Sequence, residues 1–192
     1  MSQAIPPELL EEAYRRGIFP MADEDGRIHW YSPDPRTIID LERSHIPRRL
    51  GRTIRRPKFE ITVNRDFDGV IRGCANREET WISGEIMAAY TAMHRLGKAH
   101  SVEAYHEGKL AGGIYGVSLG GAFMGESMFT IVRDASKVCL VFLLNRLKER
   151  GYRLFDVQFT TTHLKRFGAV EISRREYIHR LEKALSLSCR FD

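Results

Sequence analysis

Nothing in this sequence supports a disulfide framework or a zinc site. Its three cysteines, Cys74, Cys139 and Cys189, are widely spaced and form no CxxC pair. A membrane span is also missing, since no stretch approaches the roughly 18 to 20 apolar residues that a helix across a bilayer needs. The opening Met1–Pro7 has neither a basic nor an apolar region, so no secretory signal is read and a reducing cytoplasm is the expected compartment. There are no internal repeats and no low-complexity tracts. What remains is globular: 43% apolar and 29% charged over 192 residues, enough for one medium domain or a main domain with a small appendage.

Acid is absent from Arg43 to Lys58, a stretch that holds seven Lys or Arg in a chain of formal net charge +5. Arg48, Arg52 and Arg55 are spaced i, i+4, i+7 and would share one face of a helix. Such a face suits a polyanion, because each neutralised phosphate releases condensed counterions. A merely solvated face fits the same spacing.

The rest of the chain reads as a mixed α/β (α+β) body. A helix over 6–17 opens on proline and acids and stops at Gly17, and a strand at 28–31 is ended by Pro33 and Pro35. The basic segment then marks a boundary that divides a small N-terminal domain, 1–58, from a larger one, 59–192. In the second part a strand at 59–63 precedes helices at 66–75 and 83–96. Three strands follow at 101–106, 110–119 and 122–129, then an apolar helix over 134–150, a strand over 152–159, a helical turn near 161–167 and a last helix over 174–185. The order strand, strand, strand, helix, strand, helix resembles the GNAT-like acyltransferase core. That fold ordinarily grips coenzyme A with a glycine-rich loop after its fourth strand. The corresponding Thr130–Lys137 segment contains no glycine, so coenzyme A is not expected, nor any other cofactor or metal.

Two polar features interrupt the apolar strands. In Tyr152–Phe159, period-two alternation sends Asp156 and Gln158 to one side and Phe155, Val157 and Phe159 to the other. An isolated Asp-x-Gln serves equally well to pair with neighbouring strands. Glu126 sits between Gly125 and Ser127 in an otherwise apolar run; a buried acid requires a partner, either an arginine or a ligand.

Seven segments, in order, carry a family resemblance: Tyr14–Pro20 (YRRGIFP), Trp30–Arg36 (WYSPDPR), Thr80–Ile82 (TWI), Gly112–Val117 (GGIYGV), Gly125–Phe129 (GESMF), Ala135–Lys137 (ASK) and Asp156–Gln158 (DVQ). Over about residues 10–182 the chain resembles the leucyl/phenylalanyl-tRNA–protein transferases. The resemblance implies an enzyme that moves leucine, phenylalanine or methionine from aminoacyl-tRNA to the N-terminal Arg or Lys of a protein, marking it for degradation. It also implies a GNAT-like core without coenzyme A. Asp156 would orient and polarise Gln158, whose amide oxygen would accept a proton or hydrogen bond from the attacking amine. Ile114, Phe123 and Met128 would wall the amino-acid pocket, with Glu126 at its edge for the aminoacyl ammonium or the ribose.

Trp81, Trp30 and Tyr14 are candidates to stack the terminal adenine, and His163 falls on a family histidine, read as an orienting or core residue. Arg174 and Arg175 join Arg48, Arg52 and Arg55 as candidate tRNA contacts. Met21 stands where the family usually has tryptophan. Two other classes fit parts of the sequence: a GNAT-like enzyme with another acyl donor, and a noncatalytic RNA-binding module.

Overall fold

The structure, a computed structural model, describes residues 4–55 and 58–192. Helix α1 (Pro7–Arg15) starts on proline, carries Glu8 in its first turn and Arg15 in its last, and so agrees with the helix dipole at both ends. Gly17 turns the chain with φ +73°; a side chain there would collide with Tyr177 and Ile178 at 2.9 Å. Strands β1 (Phe19–Ala22) and β2 (Ile28–Tyr31) pair as a separate antiparallel hairpin, and β3 (Arg36–Ile39) then enters the main sheet. After α2 (Arg48–Arg55) come β4 (Glu60–Val63), α3 (Phe67–Ala75), α4 (Gly84–Arg95) and the meander β5 (Ala99–His106), β6 (Lys109–Leu119), β7 (Ala122–Thr130). The chain continues through α5 (Ala135–Glu149), β8 (Leu154–Gln158), α6 (Thr162–Lys165), β9 (Ala169–Ile172) and α7 (Arg174–Leu185). Among the described residues no helix is long and apolar enough to cross a membrane.

The main sheet has seven strands in the order β4-β5-β6-β7-β8-β3-β9. β7 and β8, joined by the α5 crossover, are parallel; the other neighbours are antiparallel. This mixed α/β sheet, with its meander, crossover helix and parallel strand, follows the expected GNAT-like order. α5 has little amphipathic character because it buries Val138, Leu140, Val141, Leu143, Leu144 and Leu147, each contributing about 1.5–3 kcal/mol when fully buried. The opposite face of the sheet carries α3, α4 and α7, through Val70, Ile71, Ile86, Tyr90, Met93, Tyr177 and Leu181.

The expected division at residue 58 meets a sheet that crosses it. β3, from the first segment, is hydrogen-bonded between β8 and β9. All four of its residues are buried, so it has no alternation to announce it. At four residues each, β1 and β9 are equally silent.

Two irregularities fall side by side. On β7, Tyr115 pairs with Ser127 and Gly116 with Gly125, leaving Glu126 as the extra residue of a bulge. On β8, Thr37 pairs with Gln158 and Ile38 with Asp156, leaving Val157 as the extra residue. β7 and β8 are paired only over Ala122–Met124 and Leu154–Asp156; beyond those residues the two strands part. Gly116 makes the first bulge possible, because a Cβ there would lie 2.3 Å from the Met124 carbonyl oxygen. Gly116→Ala is therefore expected to cost about 1–3 kcal/mol in urea unfolding, by overpacking, with the denaturant slope unchanged.

Candidate active site

Where β7 and β8 part, the sheet opens a cleft of about 270 Å³. Its apolar wall includes Ile114, Met128, Leu140, Phe155, Val157 and Leu164, and its mouth includes Phe19, Met21, Trp81 and Phe159. Phe159 meets Phe19 edge-on, with centroids 5.8 Å apart. Glu126, Gln158, Ser127, Arg77 and His163 supply the polar groups.

Beneath the cleft lies a buried ion pair. The Arg36 guanidinium donates to Asp156 through Nε at 2.9 Å and Nη2 at 2.6 Å, and both side chains are at most 1% exposed. Arg36 also donates from Nη1 to the Gly17 carbonyl at 3.1 Å. It is stacked between the Phe19 and Tyr177 rings, 4.7 and 4.5 Å from their centroids. Burial opposes its charge, but Asp156 outweighs burial and holds Arg36 protonated well above its ordinary value. Asp156 further accepts from the Tyr177 hydroxyl at 2.9 Å and from the Gln158 backbone N–H at 3.0 Å.

That last bond corrects an expectation. Asp156 does not touch the Gln158 carboxamide; it holds the Gln158 backbone, whose φ of +57° costs a non-glycine residue about 1–3 kcal/mol. The bulge at Val157 and this left-handed turn end the alternation at the strand's tip. Asp156 therefore faces Arg36 while Gln158 joins Val157 and Phe159 at the cleft. Gln158 Nε2 donates to Glu126 Oε1 at 3.3 Å. The carboxamide oxygen has no partner among the described residues.

Glu126 is the hub of a second network. Its Oε2 accepts from the Tyr90 hydroxyl at 2.9 Å, and that hydroxyl is in turn hydrogen-bonded to the Tyr14 hydroxyl. Burial pushes the Glu126 carboxyl up to about 7, against the bonds from Tyr14 and Tyr90, while Asp156 pushes it further up and Arg36 pulls it back. Tyr14 and Tyr90 are driven well above the usual phenol range, first by burial and then by the Glu126 charge. Both phenols therefore stay protonated at neutral pH, with Tyr90 a fixed donor to Glu126 and Tyr14 bonded to Tyr90 behind it.

Several anticipated residues lie elsewhere. Phe123 is only 1% exposed and packs into the core between Phe155 and Phe191; it faces the same side of the sheet as Ile114 and Met128 but lies further along β7, opposite Ser118 and behind Phe155, where it does not reach the cleft. The Tyr14 ring is fully enclosed and cannot stack a base; its hydroxyl is what reaches the site. Trp30 is 41% exposed but stands opposite Pro20 in the hairpin, on the face away from Phe19 and Met21, outside the cleft. Trp81 lines the cleft, as does His163, whose Nε2 is buried without a partner among the described residues.

Arg52 is exposed on α2, and the side chains of Arg48 and Arg55 lie outside the described residues. Arg174 and Arg175 are exposed at the start of α7 and line no part of the cleft. Arg36, Tyr90, Tyr177 and Arg77 were not anticipated. Arg36 closes the WYSPDPR segment, and an arginine directly ahead of Thr37-Ile38-Ile39 is the one signal that pointed to it.

Arg36→Met, which strands the Asp156 carboxylate, is expected to destabilise the fold by about 3–5 kcal/mol in chemical denaturation. Glu126 gives a pH signature. Its folded value lies above the ordinary 4.5 at about 7, so across that interval the folded state binds more protons than the unfolded chain. Its contribution to stability is present below that interval and lost as pH rises through it. Unfolding free energies at pH 5 and 7.5 should therefore fall more steeply for the parent than for Glu126→Gln; equal slopes would remove Glu126 as the titrating group.

Comparison with known proteins bears on the whole chain. The sequence model of the leucyl/phenylalanyl-tRNA protein transferase family matches residues 38–182, and that of its N-terminal domain matches residues 3–34. The leucyl/phenylalanyl-tRNA–protein transferase of Rubrobacter xylanophilus is 55% identical over 97% of this chain and 98% of its own length. The protein of the same name from Gloeobacter violaceus is 52% identical over 100% of both. Among solved structures, a GCN5-related N-acetyltransferase-like protein from Streptococcus suis matches with a TM-score of 0.44 and 16% identity, over 86% of this chain and 64% of that one. With the family model covering most of its length, this chain belongs to the leucyl/phenylalanyl-tRNA protein transferase family.

Proposed function

We propose that this chain transfers a leucyl, phenylalanyl or methionyl group from its aminoacyl-tRNA to the α-amine of a protein that begins with Arg or Lys. The observation that carries this reading is the cleft between the parting strands, where an apolar wall suited to such side chains ends at the carboxamide of Gln158 and the carboxylate of Glu126. Family membership supports the donor and acceptor classes.

The amine nitrogen attacks the ester carbonyl carbon, the bond from that carbon to the ribose 3′ oxygen breaks, and the amine's proton ends on the released hydroxyl. No nucleotide or metal is required for this downhill exchange; position and charge stabilisation carry it. An α-amine titrates at about 7.7–8.0, so a useful fraction is neutral near pH 7. The free oxygen of Gln158 accepts a hydrogen bond from that amine and fixes its approach, while the neighbouring ribose hydroxyl relays the proton. A carboxamide is too weak a base to keep the proton, so orientation is its main contribution. Asp156 is a positioning residue: it sets the Gln158 backbone and is itself fixed by Arg36 and Tyr177. Glu126 faces the aminoacyl ammonium, held open to it by Tyr90 on one side and Gln158 on the other. Trp81 and Phe159 flank the mouth where the terminal base emerges.

The direct test mixes Leu-, Phe- and Met-tRNA with peptides that begin with Arg, Lys or Asp and reads the products by mass spectrometry. Transfer to Arg and Lys peptides is expected, and none to Asp; an Asp-only profile would sink the acceptor assignment. Gln158→Ala should slow single-turnover transfer by about 10²-fold with tRNA affinity retained, and an unchanged rate would remove Gln158 from the chemistry.

A further inference from the structure

A second cavity, of about 130 Å³, lies on the far side of His163, which lines both it and the cleft. Its walls are Arg133, Lys137, Arg166, Asp134, Phe167, and Pro47 and Leu50 at the start of α2. Among the described residues, three cations therefore face one carboxylate. Lys137 Nζ is 2.8 Å from Asp134 Oδ1, while Arg133 and Arg166 are exposed and have no ion pair with any described residue. Burial, and then the charges of Lys137 and Arg166, lower the His163 value, so the imidazole between the two cavities is neutral at pH 7 and the surplus positive charge sits on the far side of it. The cavity also joins the basic stretch to the cleft, because α2 packs on α5 and Leu50 shares the cavity wall with Lys137 and His163.

We propose that Arg133, Lys137 and Arg166 hold a backbone phosphate of the RNA whose 3′ aminoacyl ester occupies the neighbouring cleft. The inference rests on the aminoacyl-transfer reading and extends it from the ester to the strand behind it. Two unpaired guanidiniums offer forked donors to a phosphodiester. Lys137, tethered by Asp134, adds a point charge at a fixed place. An RNA end whose terminal nucleoside enters the cleft must lead its next phosphates away from it, and the cavity beyond His163 is the adjoining space of opposite sign. Exposed Arg52 on α2 adds a further positive charge beyond the cavity.

Fluorescence anisotropy of labelled tRNA titrated with the full chain, at several salt concentrations, tests this with Arg133→Ala/Arg166→Ala against the parent. Both arginines are exposed, so folding is not at risk. Binding is expected to weaken about tenfold, as for the loss of a charged hydrogen bond, and the slope of log affinity against log salt to flatten by about 0.7 per phosphate released. Arg166→Lys keeps the charge and should bind more tightly than Arg166→Ala. A second readout compares transfer from Phe-tRNA with transfer from 3′-O-phenylalanyl-adenosine, a donor that has no phosphate. The ratio of the two kcat/KM values should fall about tenfold in the double variant. Unchanged tRNA affinity and salt slope, or equal losses with both donors, would overturn the phosphate site. If the parent transfers from neither donor, the aminoacyl-transfer reading fails, while the tRNA titration still decides whether these cations bind RNA.

Discussion

The Arg36–Asp156 pair fixes the relation between parts of the chain that are far apart in sequence. Its guanidinium joins the turn after α1, the first residue of β3, the tip of β8 and the ring of Tyr177 on α7. A fully dehydrated charge pair is a poor source of net stability when compared with apolar packing of the same volume. Its stronger effect is on register. Each of the four segments must deliver its group to one point, or a charge is left buried without a partner. The hairpin of β1 and β2 is thereby held over the cleft, with Phe19 serving both as the face on which Arg36 lies and as part of the cleft's rim.

From that fixed point the site is assembled by departures from a regular sheet. β7 and β8 begin as paired parallel neighbours and separate where each carries an extra residue. The separation removes ladder partners from the strand tips and leaves polar groups for a ligand, a common use of bulges near active sites. The Gln158 backbone is held in the left-handed region and is tied directly to Asp156. The buried ion pair and the carboxamide that lines the cleft are thus connected through main chain, a route along which no side chain need move.

Much of the fold was legible because long elements announce themselves. The α5 run, the meander, helix α1 with its leading proline and the capped helix α4 all lie where periodicity and terminal residues put them. β1, β3 and β9 were not legible, since four residues with no exposed face, or with no clear alternation, carry no period. At the site, the motifs pointed to Gln158, Glu126, Ile114, Met128 and Trp81, all of which line the cleft. The resemblance set Phe123 in the pocket wall, whereas it packs in the core behind Phe155; simple alternation set Asp156 against the wrong part of Gln158. The second error has a plain cause: the bulge at Val157 reverses which side chains share a face, and composition does not reveal it. Tyr14 was misread for a different reason. A tyrosine offers a ring and a hydroxyl, and only the tertiary contacts decide which of them is used.

Glu126 is the residue by which β7 exceeds its partner. A strand with that residue excised would pair more evenly, keep its apolar facing without a break, and close against β8 as an ordinary inert wall. The acid and the opening thus have a single origin: one surplus amino acid both brings the charge and denies the strand the regularity that would have sealed it away.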